Sequence, residues 1–225
     1  GGRPDGSSKN AAMLLDASGR FVLTNSTLDL ATGSPFAEDV FLGTAIITGT
    51  TFTATSVTFL HRDAGATNFR QGSPVAINGI VGTTSAGAHS LQLTIAGTAV
   101  PPIDTALTLN SGHQGYAWPP YTVPVWTANN GALTATADGR VIGTLAPDCT
   151  IDAAISVTDP TRDVYRMQAT FAGSGCAAKA LVPGTGEFLG SRFIGPSIAA
   201  YGPPAINFVG IVGSTAVRLG LDDAH

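Results

Sequence analysis

Across most of its length the chain alternates apolar and polar residues one by one. Phe41–Thr48 runs into Thr51–Phe59, and Ser90–Ile95 and Tyr165–Phe171 repeat the pattern. A period of two sends successive side chains to opposite faces of an extended strand, so each segment buries one face and solvates the other. In the Thr51–Phe59 segment, Phe52, Ala54, Ser56 and Thr58 are expected on one face and Thr53, Thr55, Val57 and Phe59 on the other. Ser18-Gly19, Asn78-Gly79, Asn130-Gly131 and Asp138-Gly139 offer the positive φ that tight hairpins need. No segment combines a 3.6-residue period with helix caps. Short strands with regular turns predict an all-β protein of antiparallel up-and-down barrel or sandwich lobes.

Two short self-similarities hint at duplication, but they do not support a rigid repeat, and convergent strand-turn patterning could give either. Ala17–Val22 matches Ala137–Ile142, and Gln92–Gly97 matches Gln168–Gly173, at different offsets. Between the halves, His113–Trp126 holds both tryptophans, and Pro119-Pro120 stiffens the chain as a spacer would. The expected organisation is a flexible tail over 1–10, an N-terminal β lobe over 11–111, a Pro/aromatic linker over 112–124 and a C-terminal barrel lobe over 125–225.

Charged residues make up only 12% of the chain, against about 25% in ordinary domains. Threonine takes over the solvated faces, being neutral and β-branched. The net charge is −4 with no basic stripe, which argues against nucleic acid as a partner. No segment approaches the ~20 apolar residues of a membrane-spanning helix. With 7% aromatics, the chain also lacks the girdles of a transmembrane barrel.

Cys149 and Cys176 are the only cysteines. If residues 159–163 turn a hairpin, the flanking strands return antiparallel and bring the sulfurs together. The resulting disulfide would contribute about 3–4 kcal/mol through loop closure; two separate buried thiols are the alternative. Tyr116, Trp118, Tyr121 and Trp126 could form a stacking platform for a flat ligand. They are read more readily as an interlobe plug, with Trp126 opening the first strand of the second lobe, because no convergent polar groups accompany them.

Other motifs point to no chemistry. His61-Arg62-Asp63 followed by Asn68 matches a kinase catalytic loop in spacing only; the Gly-rich loop, lysine strand and Asp-Phe-Gly are missing. The segment is read as a polar loop after a strand ending at Leu60. His89, His113 and His225 lack metal-ligand spacing and read as exposed loop residues. Gly184–Gly190 misses the dinucleotide fingerprint and reads as a bulge or bend in a strand. Asp148, Asp152, Asp159, Asp163 and Glu187 form no recognisable acid/base pair. No catalytic residue, metal site or cofactor is expected.

The second half carries a family resemblance. Gly131–Thr134, Asp138–Thr144, Asp148–Ile151, Val164–Phe171, Gly175-Cys176, Ala205–Gly213 and Thr215–Leu219 are similar to poorly characterised β-barrel surface and envelope lipoproteins of Burkholderia-type proteobacteria, a class that includes seroreactive antigens. The resemblance implies small eight-stranded barrels and export to the outer membrane, cell surface or periplasm. It implies membrane contact only through an N-terminal lipid anchor, and it assigns no catalytic residues. The expected function is a non-enzymatic envelope lipoprotein that binds an envelope or host component; the alternative is a lipocalin-like carrier of a small apolar ligand.

Overall fold

The computed structural model describes residues 7–29, 35–63, 66, 69–85, 87, 89–97, 100–108, 125–128, 131–136, 138–157, 164–179, 181–193 and 205–223. The chain is all-β and divides into two compact units, Gly1–Gly112 and His113–His225. Among the described residues the only helical element is a 3-10 turn at Ser174–Lys179.

The N-terminal unit contains β1 (Ser7–Leu15), β2 (Arg20–Asp29), β3 (Pro35–Thr44), β4 (Ile46–Thr48), β5 (Thr51–Arg62), β6 (Arg70–Gln71), β7 (Val75–Thr83), β8 (His89–Gly97) and β9 (Val100–Thr108). The main path runs β1-β2-β3-β5-β7-β8-β9, with β4 and β6 attached to β5. Strand β5 therefore serves both halves of the sheet: Thr58–Arg62 pairs with β3 and Thr51–Val57 with β7.

That double duty overturns the strict alternation expected for Thr51–Phe59. The register slips between Ala54 and Val57, and Thr55 and Ser56 are both exposed. An extra residue in a strand switches its faces. Phe52, Ala54, Val57 and Phe59 consequently all enter one core with Phe21, Leu23, Phe41 and Ile77. Phe41 and Phe59 stack there with ring centroids 5.0 Å apart.

The C-terminal unit contains β10 (Val125–Ala128), β11 (Gly131–Ala135), β12 (Arg140–Ala146), β13 (Cys149–Val157), β14 (Tyr165–Ala172), β15 (Gly184–Phe193), β16 (Ala205–Val212) and β17 (Thr215–Asp223). All neighbours are antiparallel, and β10 closes the barrel by pairing with both β11 and β17. Strand β13 alternates buried and exposed residues from Cys149 to Ser156, and β14 does so from Met167 to Ala172. Tyr165, Met167, Phe171, Phe188 and Phe208 are essentially without solvent contact and fill the lumen.

The glycine signals divide. Gly19 (φ 83°) and Gly139 (φ 88°) sit in hairpin turns as expected. The two turns make the same bonds: Asp16 N–H to Arg20 C=O and Thr136 N–H to Arg140 C=O, then Gly19 to Asp16 and Gly139 to Thr136. Each glycine carbonyl also accepts a more distant N–H, from Ala45 just after β3 or from Ile155 on β13. Asn78-Gly79, by contrast, is no turn but the interior of β7. A Cβ on Gly79 would lie 2.6 Å from a Leu93 methyl, so glycine there permits close packing. Nor is Gly184–Gly190 a bulge: β15 keeps register with both neighbours, and a Cβ on Gly186 would lie 2.4 Å from the Ile211 carbonyl oxygen.

Candidate functional site

Cys149 and Cys176 form a disulfide. Hairpin β13–β14 pairs Thr150 with Ala172, and the 3-10 turn then carries Cys176 back over the start of β13. The Asp148 carboxylate accepts from the Ser174 N–H at 2.9 Å and from the Ser174 hydroxyl. Those bonds hold its pKa below the usual carboxylate value, the hydroxyl contributing most. Disulfide and carboxylate together clamp the 3-10 turn over the β12–β13 corner.

Of the four aromatic candidates, Tyr116, Trp118 and Tyr121 lie outside the described residues. Trp126 falls on β10, where its backbone pairs with Leu133 and Asp223. His113, Asp159, Asp163 and His225 also lie outside the described residues.

The outer face of the C-terminal barrel carries a shallow depression lined by Asp138, Arg140, Asp152, Gln168, Thr170 and Thr185. Arg140 grips Asp152 through two N–H···O bonds of 3.2 and 2.9 Å. Each partner favours the other's charged form, so the Asp152 pKa is lowered and the Arg140 pKa raised, the mutual hydrogen bond being the largest cause. Thr170 and Thr185 share a hydroxyl bond of 2.9 Å. The surface is hydroxyl-lined, with Arg140 paired to Asp152 and the Asp138 carboxylate accepting from the Thr136 hydroxyl.

A second polar assembly, which sequence reasoning missed, lies in the N-terminal unit. His61 and Arg62 belong to β5 rather than to a loop. Alternation carries the inward face from Phe59 to His61, and cross-strand register places Asn25, Asp39, His61 and Arg70 in one row on β2, β3, β5 and β6. This row borders the apolar row Leu23–Phe41–Phe59. His61 bridges two carboxylates, with Nδ1 2.7 Å from Asp39 and Nε2 2.9 Å from Asp63. Partial burial works to lower its pKa, but the hydrogen bonds to Asp39 and Asp63 outweigh it and the pKa is raised. Asp63 also accepts from Arg70. On the opposite face, buried Glu38 pairs with Arg62, whose guanidinium lies 5.0 Å from the centre of the Phe69 ring.

The sequence signal for this assembly was the concentration of charges at Glu38-Asp39 and His61–Asp63 in a charge-poor chain. Cross-strand register was needed to join them. Among the described residues, no group of three or more His, Cys, Asp or Glu side chains is arranged to hold a metal ion. No protein family, curated protein or solved structure matches this chain in comparisons of sequence and structure.

Proposed function

We infer that this protein is an exported, non-enzymatic binding module, acting through the outer surface of its C-terminal barrel. The observation that carries the reading is the barrel itself, filled in its lumen and clipped by a disulfide. Structural disulfides persist in oxidising compartments, which supports a periplasmic or cell-surface location. A lumen packed with Tyr165, Phe171, Phe188 and Phe208 favours surface recognition over carriage of an apolar ligand. Neutral threonines, the Arg140–Asp152 pair and the Asp138 carboxylate make the outer face suited to a hydrogen-bonding partner, an envelope or host component. Under this reading, membrane attachment is through an N-terminal lipid anchor.

Native followed by denaturing mass spectrometry, on unreduced protein from its own compartment, tests this reading. The expected result is a chain lighter than the reduced mass by two hydrogens, releasing no apolar molecule. A reduced chain would overturn export. Release of an apolar molecule would overturn surface recognition in favour of a carrier.

A further inference from the structure

We propose that Asn25 and Asp39, side by side on the inner face of the N-terminal sheet, form a binding site for an organic ammonium ion. This site is independent of the outer surface assigned above, and either assignment can fail alone.

Burial provides the first argument. Asn25 is 5% exposed, and its Oδ1 has no hydrogen-bond partner. A buried amide oxygen without a donor is costly, and native structures rarely leave one so. Its cross-strand partner is Asp39, which is 16% exposed and turns Oδ1 toward His61 Nδ1. A carboxylate offers about four acceptor positions, so this contact leaves capacity for a further donor. Both groups belong to the polar row that caps the Leu23–Phe41–Phe59 core.

Donor chemistry selects the ligand. The amide oxygen and the carboxylate both accept, so one group satisfying both must bring at least two donors. A hydroxyl has one and an ammonium has three. The ammonium also carries charge into a hydrogen bond with a carboxylate, which strengthens it.

The surrounding charges add a second property. Asp39 faces His61 from β3, Asp63 faces it from just beyond β5, and Arg70 reaches Asp63 from β6. Glu38 and Arg62 pair on the opposite face. Protonated His61 donates to both carboxylates, whereas neutral imidazole has one N–H and can serve only one. An ammonium on Asp39 and the His61 proton therefore compete, and each lowers the other's affinity reciprocally.

The test is nuclear magnetic resonance on the full chain, titrated with methylammonium chloride and, at equal ionic strength, with tetramethylammonium chloride, which has no N–H. Methylammonium is expected to shift the Asn25 side-chain amide saturably and to lower the His61 titration midpoint. Tetramethylammonium is expected to do neither. Asn25→Leu, apolar and similar in volume, should weaken methylammonium binding by about tenfold or more, as loss of a hydrogen bond to a charged group does. An equal response to both cations would overturn the proposal, as would unchanged binding in Asn25→Leu. A bound water at Asn25 with no saturable methylammonium response would overturn it too. If Asn25→Leu does not fold, the two-cation comparison on the natural chain still decides.

Discussion

The two units are built from the same antiparallel hairpins and finish differently. In the C-terminal unit the four-residue strand β10 bridges β11 and β17, so the sheet closes and every strand has two neighbours. In the N-terminal unit β1 pairs with β2 and β9 with β8, and among the described residues no ladder joins β1 to β9. The interiors differ as well. The closed barrel holds one apolar cluster that includes Leu133 on β11 and Leu221 on β17. The other core gives way at one end to the row of Asn25, Asp39 and His61. Closure removes sheet edges, and a lumen bounded on all sides is most stable when filled with apolar side chains. The N-terminal sheet accommodates polar groups where its core ends, and there they find one another.

The largest expected effect compares the two cores directly. Phe188→Ala in the barrel and Phe41→Ala in the N-terminal sheet each remove a fully buried ring, and each should cost about 3–5 kcal/mol. Calorimetry on the two variants should show each lowering the transition of its own unit. A single transition lowered equally by both would break the description of two separately cored units.

Reduction of Cys149–Cys176 is the next test, with about 3–4 kcal/mol expected from a disulfide between residues 27 apart in sequence. Urea unfolding with and without reductant should move the C-terminal transition and leave the N-terminal one in place. Equal movement of both would show that the clamp acts beyond its own barrel.

The matched turns provide a finer comparison. Gly19→Ala and Gly139→Ala each force a side chain into positive φ, at a cost of about 1–2 kcal/mol. At Gly19 the new Cβ would also lie 2.3 Å from the Ala45 carbonyl oxygen, which adds to that cost. Thermal midpoints of the two variants check these costs.

The smallest effect is the pH response that separates the units. The pKa of His61 is raised in the fold, so its contribution is fully present below the ordinary imidazole value of about 6.5. That contribution is lost as pH rises through the higher folded value. Between pH 6 and 8, roughly the window of histidine titration, N-terminal stability should decline slightly; His61→Gln should flatten the decline and leave the C-terminal unit unmoved. Asp152 acts in the opposite direction at acid pH. Its contribution is present above the ordinary carboxylate pKa and is lost as pH falls through the lowered folded value.

Much of this architecture was legible in local patterns, and the exceptions have physical causes. The β13 and β14 alternation is visible residue by residue because each strand buries a single face. Cys149 and Cys176 could be paired in advance because one hairpin separates them. Strand β5 misled at Thr55-Ser56, since a bulge is imposed by two different partner registers and leaves little trace in composition. Asn78-Gly79 misled because glycine meets two unrelated needs, positive φ in turns and close approach inside sheets. His61 was passed over as part of a chance kinase match. Its partner Asp39 lies 22 residues away and becomes its neighbour only through the β3–β5 ladder.

The sequence by itself determined the all-β class, the alternation of strands such as β13 and β14, the Gly19 and Gly139 turns and the neutral character of the solvated faces. Those properties follow from side-chain period, φ preference and charge, which act within a few residues. Tertiary structure alone decided that β10 would close one barrel, that β5 would change faces midway, and that Asn25, Asp39 and His61 would share a row. Each of these depends on cross-strand register, which pairs residues far apart in the chain.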